Sequence, residues 1–255
     1  RLAAPALAPL FWARQGAICR GMRHIRRFIA PSAFLRARYV AAGYPAEKIL
    51  QWENGLDVAR IRQALAGPRT SFRGHYAYIG SLAWQKGVHV LVEAFRRLGD
   101  MGAQLKIWGN PATFPAYFCQ LEQLAAGCPW ISFQGELDEA RVGEALAWAD
   151  YLIVPSLWWE NSPVTIQEAY AAGVPVIASN LGALAEKVRH ERSGILFAPG
   201  DVAHLERTLR RTWAEPALWE RLRAGLPPVV PIAEHAGLME GLYLDVLREG
   251  NHASA

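Results

Sequence analysis

The sequence predicts an α/β protein built on a doubly wound parallel sheet. From about residue 75 onward, short runs rich in β-branched and aromatic residues alternate with helical stretches, which is typical of a parallel sheet with helices on both faces. Glycine and polar residues also recur directly after successive predicted strands. Apolar residues make up 52% of the 255-residue chain, enough for one substantial core, or for a medium domain plus part of a second.

Six predicted strands form this Rossmann-like sheet, and amphipathic helices connect them. Between the first two strands, apolar residues recur along one face of a helical repeat, namely Val88, Leu91, Val92, Phe95 and Leu98. The strands are predicted at 75–81, 104–108, 130–134, 151–155, 175–179 and 195–198. Parallel strands of this kind need helical crossovers, so the two signals support each other.

The chain divides into three predicted segments. Residues 1–55 end in an Asn54-Gly55 turn signal, and we interpret them as the tail of a preceding domain. Residues 56–230 form the main α/β domain. Residues 231–255 carry a last amphipathic helix, which we expect to pack back against the preceding domain.

Arginines dominate the start of the chain, although the formal net charge is only +4. The arginines that precede the first acidic residue, Glu47, are Arg1, Arg14, Arg20, Arg23, Arg26, Arg27, Arg36 and Arg38. A surface facing anionic lipid or a phosphorylated substrate would have this composition, and so would a solvated helix face exposed by truncation. Because the chain opens with Arg1 rather than Met, we expect a fragment or a processed form.

The sequence predicts neither a membrane span nor a disulfide framework. Polar residues interrupt every apolar run before it reaches the roughly 20 residues of a bilayer span. Cys19, Cys119 and Cys128 are odd in number and lack metal-ligand spacing, which favours reduced thiols. We therefore expect a cytoplasmic protein without a nucleic-acid partner, and the basic segment suggests peripheral contact at the inner membrane face.

Candidate ligand-binding residues lie directly after the predicted strands. Ligands of open parallel sheets bind beyond the carboxyl ends of the strands, where loops and helix N-termini converge. A single glycine there indicates turn chemistry, but repetition at successive strands favours a ligand site. In strand order, the residues are Gly80, Ser81, Lys86 and Gly87, then Gly109 and Asn110, then Gly135 and Glu136, then 156–163, and finally 180–182.

The segment after the fourth strand is the most specific of these. We expect Ser162 to be the N-cap and Pro163 the first residue of a helix that continues to Ala172, and its free N–H groups would form an anion site. Glu160 precedes the helix, and Glu168 lies within it, eight positions later. The small neighbours of Glu168 favour a packed over a solvent-exposed carboxylate, which would be a good acceptor for vicinal hydroxyls such as those of ribose.

These residues resemble the Glu-x7-Glu signature of the retaining GT-B glycosyltransferases often called family four. The matching stretches are 54–57, 78–81 with 86–88, 93–95, 155–163, 167–169, 173–179, 194–197 and 200–201. The resemblance covers roughly residues 28–210. It implies that the chain is the C-terminal half of such an enzyme, with 56–230 as the nucleotide-sugar donor domain and 1–55 as the end of the acceptor-side domain.

The resemblance also implies a role for each candidate residue. Lys86 would pair with the donor diphosphate, Glu168 would hold the ribose hydroxyls and Glu160 would face the transferred sugar, so Lys86 and Glu160 are the expected catalytic residues. The other implied donor contacts are Gly80, Ser81, Asn161, Ser162, Pro163 and Val164, with Gly109, Asn110, Gly135, Glu136 and Leu137 shaping the base pocket. No metal or other cofactor is expected, because a lysine and a helix N-terminus can stabilise the departing diphosphate and the sequence contains no Asp-x-Asp.

The predicted function is transfer of a sugar from a nucleotide diphosphate sugar, with retention, to a saccharide, lipid-linked or small-molecule acceptor. A nucleotide-sugar epimerase of the same fold and a non-catalytic nucleotide-binding scaffold are the alternatives. Ser81 stands where the family commonly has arginine, and Ala183 where it often has a second glycine. The glycine-rich loop and histidine of the family's N-terminal domain have no counterpart, so we expect the fragment to be inactive without that missing domain.

Overall fold

The computed structural model describes residues 4–65, 67 and 71–252. It contains a six-stranded parallel sheet and a separate two-stranded parallel sheet. The strands are β1 (Phe28–Ala30), β2 (Ile49–Gln51), β3 (His75–Ile79), β4 (Gln104–Trp108), β5 (Ile131–Gly135), β6 (Tyr151–Val154), β7 (Val176–Ser179) and β8 (Gly194–Phe197). The α-helices are α1 (Ala4–Met22), α2 (Ala33–Ala41), α3 (Val58–Gln63), α4 (Val88–Leu98), α5 (Pro115–Ala125), α6 (Val142–Trp148), α7 (Val164–Ala171), α8 (Ala183–Lys187), α9 (Val202–Ala214), α10 (Pro216–Ala224) and α11 (Ile232–His252).

The strand order of the large sheet is β5-β4-β3-β6-β7-β8, and all neighbours are parallel. The chain begins this sheet in its middle, builds one half outward, and then returns to the middle to build the other half. This is the doubly wound order, in which the direction of winding reverses between β3 and β6. The predicted fold class is therefore confirmed.

Helices cover both faces of the sheet because successive strand residues point to opposite sides. In β3, Tyr76 packs in a core that includes Phe95 of α4 and Trp219 of α10. The next residue, Ala77, packs on the other face with Ile166 of α7. Tyr76, Phe95 and Ile166 are all fully buried, and burial of a large apolar side chain contributes about 1.5–3 kcal/mol.

Carboxylates fix the starts of two helices and join the first segment to the main domain. Asp57 accepts a hydrogen bond from the backbone N–H of Arg60 at 3.0 Å and so caps α3. Glu186 of α8 accepts from the backbone N–H groups of Ala33 and Phe34, both at 2.8 Å, at the start of α2. A helix of the main domain therefore satisfies the free N–H groups of a helix in the first segment.

Helix α11 lies against the first segment of the chain. Arg27 forms an ion pair with Glu249. Where the chain passes between segments, the N–H of Leu56 donates to the carbonyl of Val230 at 2.9 Å, and the N–H of Ile232 donates back to Leu56 at 2.8 Å. The predicted three-part division of the chain stays a prediction.

Helix α1 carries the arginine-rich start of the chain and leaves large apolar side chains exposed. Leu10, Phe11 and Trp12 are 68%, 56% and 70% exposed, and Arg14 and Arg20 are exposed on the same helix. Within the part of the chain that the structure describes, no helix combines the length and apolarity of a membrane span. The two interpretations of the basic residues both stay open.

Candidate functional site

The loops that follow β3 and β6 meet above the point where the winding of the sheet reverses. Trp84–Lys86 form one turn of 3-10 helix, and Gly87 adopts φ 70°, a left-handed conformation that favours glycine. A Cβ atom at Gly87 would collide with the carbonyl oxygen of Pro155. The N–H of Leu157 donates to the carbonyl of Gln85 at 2.8 Å. The two loops are therefore in direct contact and can contribute side chains to one site.

Glu160 accepts three hydrogen bonds on one carboxylate oxygen at this junction. Its Oε1 meets Lys86 Nζ at 2.7 Å, Ser156 Oγ at 2.7 Å and Trp158 Nε1 at 3.0 Å. The side chains of Lys86 and Glu160 are 27% and 12% exposed, so water has limited access to this ion pair. The structure thus brings the two predicted catalytic residues together from different strand ends.

The start of α7 differs from the sequence prediction. Pro163, with φ −62° and ψ 117°, occupies the N-cap position that we assigned to Ser162, and the helix begins at Val164. The Ser162 hydroxyl instead donates to Glu53 Oε1 at 2.7 Å. Because proline offers no side-chain acceptor, no side chain caps this helix. The N–H of Ile166 donates to the carbonyl of Pro163 at 3.2 Å, whereas those of Val164 and Thr165 retain their capacity to bind an anion.

Residues of the first segment hold the loop that precedes α7. Ser32 Oγ donates to the carbonyl of Asn161 at 2.7 Å. Glu53, which accepts from Ser162, also pairs with Lys187 Nζ at 2.5 Å. Sequence reasoning missed both Ser32 and Glu53, because nothing in their local patterns indicates a partner so far along the chain.

Glu168 lies in α7 with 6% of its surface exposed. Its Oε1 is 3.4 Å from Arg60 Nη2, and Arg60 is held in turn by Glu139, with Nη1 2.9 Å from the carbonyl oxygen and 2.7 Å from Oε1. Burial raises the pKa of Glu168 above its ordinary value, the charge of Arg60 opposes that rise and the charge of Glu139 adds to it. The expectation of a packed carboxylate is met, and Arg60 is a further residue that the sequence did not indicate.

A cavity of about 330 Å³ lies at the carboxyl ends of β3, β4 and β5. Predicted donor contacts among its lining residues are Gly80, Ser81, Gly109, Asn110, Glu136 and Leu137, and the other lining residues are Ile79, Trp108 and Thr113. Asn110 Nδ2 donates to Glu136 Oε2 at 2.9 Å. The N–H of Gly109 donates to the carbonyl of Gly135 at 2.8 Å, so Gly135 supports the wall of the cavity.

The position of Ser81 leaves this cavity without a basic residue. None of the described residues that line it is lysine or arginine, and the Ser81 carbonyl accepts a hydrogen bond from the Tyr78 hydroxyl at 2.8 Å. Among the described residues, no group of three or more His, Cys, Asp and Glu side chains could hold a metal ion. The expectation that no metal is needed, like the assigned role of each site residue, stays a prediction.

Comparison with protein families identifies one that covers more than half of the chain. The family model described as "Glycosyl transferases group 1" matches residues 73–215. The chain is 34% identical over 170 residues to a glycogen synthase of Mycobacterium tuberculosis, covering 66% of this chain and 40% of that protein. It is 31% identical over 152 residues to the 2-deoxystreptamine glucosyltransferase of Streptomyces kanamyceticus, covering 58% and 38%. The chain thus spans about 40% of the length of these curated relatives.

Solved structures share the fold at lower sequence identity. A glycosyltransferase from Rickettsia africae aligns with a TM-score of 0.78 at 19% identity, covering 87% of this chain and 64% of that one. HepE of Anabaena, solved in complex with UDP and glucose, aligns with a TM-score of 0.74 at 20% identity, covering 90% and 66%. Together with the family match, these similarities show that the chain belongs to the group 1 glycosyltransferases, the family-four type of the GT-B fold.

Proposed function

We propose that this chain is the donor-binding part of a glycosyltransferase that moves a sugar from a nucleotide diphosphate sugar to an acceptor with retention of configuration. The observation that carries the proposal is the Lys86–Glu160 pair at the switch point, where the uncapped start of α7 is also located. Departure of a nucleoside diphosphate builds negative charge, and a lysine with a helix N-terminus can stabilise it. The proposed reaction needs no metal for that step.

The donor would be held by groups on both sides of the switch point. Glu168 accepts the ribose hydroxyls in this proposal, and the cavity above β3, β4 and β5 holds the base. HepE was solved with UDP and with UDP-glucose, whereas a matched mycobacterial mannosyltransferase is named as GDP-mannose-dependent. The proposal therefore leaves the base and the sugar to experiment.

Retention is proposed from the Glu-x7-Glu resemblance. The bond between the anomeric carbon and the diphosphate oxygen breaks, the acceptor oxygen bonds to that carbon from the same face, and the acceptor proton leaves with the diphosphate.

The acceptor is proposed to be a saccharide, a lipid-linked glycan or a small molecule, bound largely by an N-terminal domain outside this chain. The chain alone would then lack transferase activity. We place the reaction in the cytoplasm, with contact at the inner membrane face if the acceptor is lipid-linked.

The family match favours transfer over the epimerase and scaffold alternatives. Transfer activity of the full-length protein, measured in buffer with and without EDTA, tests the metal-independent mechanism. The anomeric configuration of the product by NMR tests retention. An inverted product, or activity that EDTA abolishes and a divalent cation restores, would contradict these parts of the proposal.

Nucleotide binding by this chain is the first test of the donor site. UDP, GDP, ADP and their sugars are added separately, and the melting temperature is recorded for the wild type and for Glu168→Ala. One base should raise the wild-type value by roughly 5–10 °C at about 100 times its Kd. This shift should disappear in Glu168→Ala, because the ribose hydroxyls lose their acceptor.

The control for this test is Glu122→Ala, which removes an exposed helix carboxylate on α5. It should retain the full nucleotide shift. A shift that persists in Glu168→Ala would overturn the assignment of Glu168. The absence of any nucleotide effect on the wild type would overturn the donor site in this chain.

A further inference from the structure

Trp158 presents a large aromatic ring to solvent beside the predicted reaction centre. Its side chain lies in the loop between β6 and α7, and the residue is 48% exposed. The indole Nε1 donates to Glu160 Oε1 at 3.0 Å, and Lys86 Nζ lies 5.8 Å from the ring centroid. An exposed indole forgoes the stabilisation that burial would provide, so a ligand that covered this ring beside the part-buried ion pair would gain apolar contact.

The neighbouring tryptophan, Trp159, is placed differently. Its ring packs edge-on against Phe34, with centroids 5.6 Å apart. The guanidinium of Arg38 lies 4.4 Å from its centroid. Trp159 therefore contacts helix α2 of the first segment, whereas Trp158 contacts the charged pair at the switch point. Because Trp158 and Trp159 are adjacent and similarly exposed, replacing each in turn compares the effect of losing either ring on ligand binding.

The sheet order places Trp158 on the side of the switch point opposite the cavity. The cavity lies above β5, β4 and β3, Lys86 follows β3, and Trp158 follows β6 on the far side of β3. A donor with its base in the cavity and its diphosphate at Lys86 would extend its sugar toward the loop that carries Trp158 and Glu160. This step rests on the proposed function.

The groups around Trp158 match the two surfaces of a pyranose. A pyranose has hydroxyl groups at its edge and a face of C–H groups that can cover an aromatic ring. All three donors to Glu160 meet Oε1, and within the described part of the chain no donor meets Oε2. That oxygen can accept a sugar hydroxyl while the adjacent indole packs against the C–H face.

We propose that Trp158 forms an aromatic subsite for the transferred sugar of the donor, with the indole ring contacting the pyranose face and Glu160 accepting a hydroxyl. Trp158 is thus a binding residue for the sugar rather than for the base or the diphosphate. The contribution should appear only for ligands that carry the sugar. This separates it from a role in the nucleotide pocket.

The test compares UDP with UDP-glucose by titration calorimetry on the 255-residue chain, with GDP and GDP-mannose as the second pair. Trp158→Ala should weaken UDP-glucose, or GDP-mannose, by about tenfold because the sugar loses roughly one ring face of contact area. Its affinity for the corresponding nucleoside diphosphate should stay within about twofold of wild type. Trp158→Phe keeps a ring without the N–H and should retain most of the sugar preference. Trp159→Ala should bind both ligands as the wild type does.

Each alternative result has a defined meaning. Equal weakening of UDP and UDP-glucose by Trp158→Ala would assign the ring to the base or diphosphate and overturn the sugar subsite. Trp158→Phe behaving as Trp158→Ala would show that the N–H bond to Glu160, and not the ring, is responsible. Equal losses in the two alanine variants would indicate a general effect on the loop, again against the subsite. If the wild type binds neither these four ligands nor ADP and ADP-glucose, the donor site itself is overturned, a result distinct from normal nucleotide binding with no effect of Trp158.

Discussion

Asp150 and Glu168 are both buried carboxylates, but the groups that face them differ. Asp150 is fully buried, and its oxygens accept from the backbone N–H groups of Arg73 and His75 at 2.8 and 3.0 Å and from the Arg73 guanidinium at 3.2 and 3.3 Å. Among the described residues, Glu168 meets one side-chain donor, Arg60, at 3.4 Å. The first carboxylate is saturated by the protein, whereas the second keeps acceptor capacity for a ligand.

The comparison separates a buried carboxylate that stabilises the fold from one that we propose binds a ligand. A buried charge is tolerated when charge-assisted hydrogen bonds replace its hydration. Asp150 has that replacement and joins the start of β3 to the start of β6. Glu168 has only part of it, so ligand hydroxyls would complete its hydrogen bonding. Residues of the second kind are candidates for binding sites.

The largest predicted effect comes from removing the saturated carboxylate. Asp150→Ala leaves two backbone N–H groups and the Arg73 guanidinium without their acceptor, so the free energy of unfolding should fall by about 3–5 kcal/mol. Urea denaturation measures the loss. Asp245→Ala is the control, because Asp245 is exposed and its ion pair with Arg248 should contribute less than about 1 kcal/mol. A loss below about 1 kcal/mol in Asp150→Ala would remove the basis of the comparison.

Arg60→Met is expected to have a smaller effect, which concerns nucleotide affinity rather than the stability of the fold. The charge of Arg60 lowers the pKa of Glu168, so its removal lets the protonated carboxyl persist to higher pH. Nucleotide affinity should fall by about tenfold toward acidic pH and recover as the pH rises, because an ionised carboxylate is the better acceptor. Calorimetry across this range measures the profile.

Arg62→Met is the matched control for that prediction. Arg62 lies on the same helix and is exposed, so its replacement should leave both the affinity and its pH dependence unchanged. If Arg60→Met weakens binding equally at every pH, Arg60 contacts the ligand directly or shapes the site, and its proposed effect on Glu168 is wrong.

The smallest expected effect is a change with pH in the melting temperature of Glu168→Gln relative to the wild type. The pKa of Glu168 is raised by burial, so the folded state favours the neutral carboxyl. Its contribution to stability is present at low pH and is lost as the pH rises through the raised pKa. Glu168→Gln lacks this ionisation, so its melting temperature relative to the wild type should increase as the pH rises from the ordinary pKa of a glutamate through the raised one. If the melting temperature of Glu168→Gln instead falls relative to the wild type as the pH rises, the ionised form of Glu168 is the stabilised one.

Much of the site could be predicted because its residues follow strands in a recognisable pattern. Glycines and polar residues at successive strand ends indicated where the loops converge, and the Ser162-Pro163 pair indicated a helix that begins between Glu160 and Glu168. The N-cap assignment was wrong because Ser162 has an acceptor, Glu53, 109 positions away. Local capping preference could not anticipate that competing partner.

By itself, the sequence indicated the fold class, because strand alternation, helical periodicity and turn chemistry are local properties. Its spaced motifs indicated the family by resemblance, and the donor-site residues named from those motifs stay predictions. Only the tertiary structure decided which of these residues meet. Arg60 lies 108 positions from Glu168, and Lys86 lies 74 positions from Glu160. Such contacts depend on the order of strands in the sheet and on helices packed across it. Hydrogen-bond geometry and burial are set there, and no local pattern encodes them.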